Sequence, residues 1–281
     1  MMRRAALWGM LLLASLGSGT AAAQRLGIAY YDVDRLYDTI PSPFYDDTDY
    51  TPAGRLRWNS DRYLRKSART AAVIDSLALP LVALFGVENE AVVRDLTRRC
   101  RNDYTYLHRT LDRFDGLDFA LLYFSDCFFP HYTEAGNNYL YIEGTLPEPH
   151  AACDTLGLFL CRDPRIARAV APQLRRERRG ARMLLLGRFD PDPATLAAIG
   201  MTDATARAER AGHGNRFRRG RWELADRIAA DTALRLGACD VYLRSWLLDP
   251  ERGTPLPTYE SRSYRGGYGS RLPIFGYLAL P

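Results

Sequence analysis

LLLGRFDPDP, residues 184–193, is a short apolar run that stops at Gly187 and then presents Arg188, Phe189 and Asp190. A buried strand ending in glycine and polar residues often carries reactive side chains at its tip, held by a rigid scaffold. An arginine is unsuited to proton transfer or metal ligation there, because a guanidinium neither gives up its proton nor offers a lone pair. What surrounds Arg188 therefore decides what the chain can do.

Outward from this stretch, apolar runs alternate with helical spacings. Strands are expected over 26–33, 81–87, 118–124, 139–146, 155–161, 183–187, 240–248 and 272–277, and helices over 60–77, 90–100 and 164–179. Tyr63, Ala71, Ile74 and Leu77 supply the apolar spacing of the first helix, with Ser60 as its N-cap. Residues 41–52 read as a polar, acidic, proline-containing loop. Some strands follow one another directly, which favours an α/β protein with mixed sheets over a purely parallel one. No repeat or linker divides the chain, and its length suits one large domain.

The N-terminus has its own signature. Met1-Met2-Arg3-Arg4 is basic, residues 5–16 are apolar, and Ala21-Ala22-Ala23 offers small residues for cleavage. A secretory signal peptide over 1–23 is expected, with the folded domain over 24–281 and export to the periplasm or beyond. The apolar run is shorter than the ~20 residues a spanning helix needs, so no membrane span is expected. Net charge is +5, and removing Arg3 and Arg4 leaves 5 − 2 = +3. Lys66 is the one lysine, so the basic charge is almost all arginine, which supports a nucleic-acid partner only weakly. The arginine-rich run from Arg175 to Arg179 reads as a solvated helix face.

Other metal or redox signatures are missing. Cys100, Cys127, Cys153, Cys161 and Cys239 have no zinc spacing, and an odd count leaves at least one free thiol. His108, His131, His150 and His213 are scattered. Asp46-Asp47-Thr48-Asp49 lacks the glycine and terminal glutamate of a known calcium loop.

Several stretches, in order, resemble the endonuclease/exonuclease/phosphatase family in its bacterial secreted branch. YYDVDRLYDT (30–39) resembles the opening Y-N-V-E-N-L-F-D, and 50–66 the loop and helix that follow. ALFGVEN (83–89) resembles C-E-V-E-N, and GLDFALLY (116–123) resembles G-I-D-V-A-L-L-Y. LLLGRFDPDP resembles I-M-G-D-F-N-D-x-P, and YRGGYGSRLPIF (264–275) the closing G-G-Y-S-D-H-L-P-V-Y. The resemblance implies a DNase I-like four-layer sandwich, two mixed β-sheets face to face with helices outside. It also implies a site at one end of the sheets, where carboxylates hold Mg²⁺ or Mn²⁺ and a His–Asp pair activates water against a phosphoester.

The matched positions carry different chemistry. The family's first-strand Asn is Asp32, its metal-binding Glu is Gly86, and the His after V-C is Arg162. The Asp of G-D-F-N is Arg188, its Asn is Asp190, and the closing Asp-His pair is Ser270-Arg271. The framework residues Gly187, Phe189, Gly266, Gly267, Leu272 and Pro273 are kept. An unpaired arginine ~6 Å from a dication opposes it by about 5 kcal/mol at an effective dielectric near 20. Neither Ser270 nor Arg271 can act as a general base at neutral pH.

Three readings follow. The leading one is an exported relative without metal-dependent phosphoesterase activity, acting as a binding or scaffold protein. It expects no cofactor, and Arg162, Arg188 and Arg271 are its candidates for holding a phosphorylated or polyanionic ligand. A second is a phosphodiesterase or nuclease whose Mg²⁺ or Mn²⁺ is held by a rebuilt site of Glu88, Asp32 and Asp190. Glu88 would face the same way as Gly86 on a regular strand. A third is a structural partner in which those three acids neutralise the three arginines. Asp118 and Asp226, the latter in WELAD (222–226), are further surviving acids.

Overall fold

The computed structural model describes residues 25–147, 155–237 and 239–279. The expected signal peptide, His150 and Cys153 lie outside the described residues.

In chain order the first half comprises β1 (Arg25–Leu36), α1 (Ser60–Leu77), β2 (Leu81–Val87), α2 (Glu90–Thr97), β3 (Thr105–Arg109) and β4 (Asp118–Tyr123). Then come β5 (Phe129–Gly136), β6 (Tyr139–Thr145), β7 (Thr155–Cys161), α3 (Pro164–Glu177) and β8 (Arg182–Gly187). The short elements α4 (Pro193–Ala197), β9 (Met201–Asp203) and α5 (Ala206–Arg210) lead to the hairpin β10 (Arg216–Arg218) and β11 (Arg221–Glu223). Strand β12 (Arg227–Asp231) precedes the two-residue strands β13 (Arg235–Leu236) and β14 (Asp240–Val241). A second hairpin, β15 (Tyr259–Glu260) and β16 (Ser263–Tyr264), precedes the closing β17 (Ile274–Ala279).

These strands build two large sheets. The first runs β13-β17-β1-β2-β4-β3, with β14 also on β17, and the second runs β5-β6-β7-β8-β12-β9. Each is mixed: β1–β2 and β7–β8 are parallel, while β1–β17 and β8–β12 are antiparallel.

Side-chain alternation explains the layering. Leu184 and Leu186 of β8 join the large core with Ile28, Tyr30 and the first helices' apolar faces. Met183 and Leu185, on the opposite face, join Ala167, Ala171 and Leu174 of α3 in a second core. A strand buried on both faces reads as a continuous apolar run, as this one does. The order is thus helices, sheet, sheet, helix, the expected sandwich.

The sequence places the main elements well, but with differences. α1 spans the expected residues, yet its cap is Asn59, whose side chain accepts from the Arg62 amide. β12 is absent from the sequence reading because charged Arg227 and Asp231 bracket only three apolar residues, Ile228, Ala229 and Ala230. The expected strand over 240–248 is only β14 followed by a 3₁₀ turn at Ser245–Leu247. Among the described residues no helix is long and apolar enough to cross a membrane. Cys100, Cys127, Cys161 and Cys239 are free thiols.

Candidate functional site

The tips of β1 and β7 and the starts of β12 and β17 meet at one end of the sandwich. Leu158, Leu160, Ile228 and Ala230 face the space between the sheets, whereas Phe159 and Ala229 face α3. Arg162 and Asp226 extend those inward rows by one step of the two-residue alternation. Asp32 follows Tyr30 inward from the first sheet in the same way, and Arg271 enters just ahead of β17.

Together they close a ring of alternating charge. Arg162 Nη1 donates to Asp32 Oδ2 at 2.7 Å, and Arg271 Nε lies 3.3 Å from the same oxygen. Arg271 Nη1 donates to Asp226 Oδ1 at 2.5 Å, and Arg162 Nη1 stands 4.0 Å from that oxygen. The side chains of Asp32, Asp226 and Arg271 are 6%, 1% and 7% exposed. Arg162 is more open at 21%, and its guanidinium stacks 4.4 Å over the Phe85 ring. Asn215, fully buried, donates to Asp226 Oδ2 at 2.7 Å and to the Leu272 carbonyl at 3.2 Å. It thereby ties the Asp226 segment to the one carrying Arg271.

The two aspartates share these cations unequally. Burial works against ionisation of Asp226, but Arg271 and Arg162 outweigh it and hold its pKa below the usual carboxylate value. Burial prevails at Asp32, which stays above that value despite both arginines. Arg271 loses hydration on burial, yet Asp226 and Asp32 raise its pKa above the ordinary guanidinium value.

Arg188 stands beside this ring without closing it. Its amide donates to the Cys161 carbonyl at 2.8 Å, while its guanidinium has neither a hydrogen-bonding nor an ion-pair partner among the described residues. Partial burial lowers its pKa, and Arg162 and Arg271 lower it further. Gly187 makes this placement possible: its φ is +108°, and a Cβ there would run into the Cys161 carbonyl oxygen and approach Tyr30 Oη to 3.1 Å. The Tyr30 hydroxyl, fully buried, has no hydrogen-bond partner among the described residues. Burial, then Asp226, raise its pKa, so it remains a neutral donor.

Two expected members of the cluster lie elsewhere. A bulge at Gly86, with φ +92°, shifts the β2 register between Phe85 and Val87 and breaks the alternation that aligned Glu88 with Gly86. Glu88 turns to the 38–45 loop instead, where its carboxylate accepts from the Asp38 amide at 2.5 Å and from Tyr45 Oη at 3.0 Å. Asp190 faces α3 and pairs with Arg168. The internal neutralisation is therefore carried by Asp32 and Asp226, not by Glu88 and Asp190. Arg162 and Arg271 are engaged by it, which leaves Arg188 as the open cation among the three candidates. Ser270 contributes its amide, donated to Asp34 Oδ2 at 3.0 Å.

The rebuilt metal set fails for the same reason. Glu88, Asp32 and Asp190 have separate partners, and among the described residues no group of three His, Cys, Asp or Glu side chains could hold a metal ion. The donors at the ring are two carboxylate groups already gripped by guanidiniums. They do not fit a hard dication that needs several free oxygens.

His108 and Asp118 form a separate buried pair, 2.9 Å apart, in which Asp118 also accepts the Leu111 amide. This pair braces the start of β4.

Glu88 gives a testable signature of its own. Burial pushes its pKa up to about 7, so the folded chain binds a proton there that the unfolded chain releases near the ordinary 4.5. Stability from this group is present below pH 4.5 and is lost as pH rises through 7. Glu88→Gln should therefore stabilise the protein at pH 8 by about 1–2 kcal/mol, and have little effect at pH 4, in denaturant titrations at both pH values. An equal effect at both would show that Glu88 is ionised throughout.

Comparison with known proteins places this geometry. Residues 27–143 match the model of the Endonuclease/Exonuclease/phosphatase family. No curated protein matches the sequence. Among solved structures, an endonuclease/exonuclease/phosphatase family protein from Bacteroides thetaiotaomicron superposes with a TM-score of 0.60 at 14% identity, covering 91% of this chain and 95% of that one. A mannosyl-6-phosphatase from the same organism gives 0.59 at 14% identity, covering 90% and 99%. A humanized D. rerio TDP2 gives 0.57 at 12% identity, covering 90% and 98%. The family model thus matches the part of the chain at 27–143 where the sequence resemblance begins, and the DNase I-like fold is shared over nine-tenths of the chain.

Proposed function

We propose that this chain is a phosphoesterase-fold protein without metal-dependent hydrolysis, which binds a phosphorylated or polyanionic ligand at Arg188. The observation that carries the reading is the charge balance around the ring. Arg162 and Arg271 are offset by Asp32 and Asp226, and Arg188 adds one unmatched cation beside them. A guanidinium offers a phosphate two parallel donors, and partial burial strengthens that contact relative to water. The same arginines oppose a divalent cation, and neither Ser270 nor Arg271 supplies a base to activate water. A mannosyl-6-phosphatase among the structural neighbours supports a phosphorylated ligand as the class to test first.

Calorimetry with inorganic phosphate at low salt should resolve a binding event that Arg188→Ala removes and Arg168→Ala leaves intact. Bis-p-nitrophenyl phosphate should not turn over with Mg²⁺ or Mn²⁺. Metal-dependent turnover that disappears in Asp32→Ala would overturn the reading and return the protein to the enzymes. A phosphate titration identical in wild type and Arg188→Ala would remove the binding half of it.

A further inference from the structure

A second cleft, of about 620 Å³, opens on the far side of the β1 tip between the loop around Tyr50 and the β15–β16 hairpin. We infer that it is an independent anion site, built to hold a phosphate group between Arg35 and Arg262. Four observations converge on it. Arg35 and Arg262 both line the cleft, and among the described residues neither has a carboxylate within ion-pair distance, Asp34 and Asp49 acting on them only at longer range. The other lining arginine, Arg55, is already held by Asp49 through its Nε and Nη2. Thr258 is 4% exposed, lines the cleft, and its Oγ1 has no hydrogen-bond partner among the described residues. Lastly, Asp34 and Arg35 hold φ values of +59° and +62°, two successive non-glycine residues in the left-handed region. Such strain persists where the surroundings enforce it, and here it turns the Arg35 side chain to the cleft.

The surroundings explain how the strain is held. Asp34 is pinned by the Ser270 amide, and its own amide donates to Asp32 Oδ1 at 3.1 Å. Arg35 shares the cleft lining with Tyr50, whose ring stands 6.4 Å from that of Tyr259. A phosphate entering here would meet two guanidiniums able to bind it bidentately and two aromatic walls. Asp34 is the one lining acid not already matched by an arginine, so the site keeps a net positive charge of one from Arg35 and Arg262 against it.

The site is read most clearly where Arg188 is absent. Inorganic phosphate titrated into Arg188→Ala should still bind, and adding Arg262→Ala should weaken that binding at least about tenfold. Thr258→Val, which keeps the shape and removes the hydroxyl, should weaken it less but in the same direction. A short single-stranded oligonucleotide is the second arm: binding tighter than phosphate, and lost in the same variant, would assign a nucleic-acid backbone, and phosphate alone a small phosphomonoester. Loss of all phosphate binding in Arg188→Ala would overturn the second site while leaving the first. Binding unchanged in Arg188→Ala/Arg262→Ala would place the phosphate on some other surface and overturn it equally.

Discussion

Asp226→Ala should destabilise the protein by about 3–5 kcal/mol, the range for breaking a buried ion pair from one side. Asp226 is 1% exposed, sits between Arg271 and Arg162, and accepts from Asn215. Its removal leaves Arg271, itself 7% exposed, with Asp32 as sole counter-ion. Arg162 would then compete for that same carboxylate. Denaturant titration at pH 7 reads the loss, and two controls separate it from general damage. Asp190→Ala, which deletes a rim carboxylate paired with exposed Arg168, should change stability by no more than about 1 kcal/mol. Asp226→Ala/Arg271→Ala should lose less than the two single variants added together, since it removes cation and anion at once. Additive losses would mean that the ring is not one electrostatic unit.

Lys66 should make the protein more stable as pH rises above neutrality. This lysine is 1% exposed, its Nζ donates to the Tyr268 carbonyl at 2.7 Å, and burial lowers its pKa to about 8 from 10.5. The folded pKa is depressed, so between pH 8 and 10.5 the unfolded chain binds the proton that the folded chain has released. Stability therefore climbs through that window, by about 3 kcal/mol in total from this group. Lys66→Met removes the titrating amine and leaves the Tyr268 carbonyl paired with the Tyr31 hydroxyl at 2.9 Å. The wild type should gain on the variant across the window by that amount. Comparing the two cancels the buried tyrosines, which ionise in both. A constant difference from pH 8 to 10.5 would show that the amine titrates at its ordinary value.

The fold was legible because its strands are buried on both faces and therefore read as unbroken apolar runs, as at 81–87, 155–161 and 183–187. Three of the ring's four members were legible too, since Asp32, Arg162 and Arg271 sit at positions that the sequence resemblance singles out. Asp226 was visible but unassigned: the inward row Ile228, Ala230 that aims it belongs to a strand too short and too charged to stand out. Asn215 carried no sequence signal, being a single polar residue whose role depends on two distant segments. Glu88 was misread through a correct rule applied across a break, for alternation holds only until the bulge at Gly86. Asp190 went the same way, since beyond Gly187 the chain leaves the sheet and Phe189, not the strand pleat, decides which side faces in. Strand parity is a reliable compass between bulges and none beyond them.

The ring at the sheet ends also restricts how this protein can change over generations. Asp32, Arg162, Asp226 and Arg271 come from four separate segments, and each touches or neighbours two of the others. A single replacement at any of them strands a buried opposite charge, so its effect depends on what the other three positions already hold. Substitutions there are therefore epistatic, and a neutral path away from the present arrangement has to alter an acid and its arginine nearly together. Arg188, outside the ring, is under no such bond. It is the position at which descendants of this chain can sample new ligands while the scaffold stays folded.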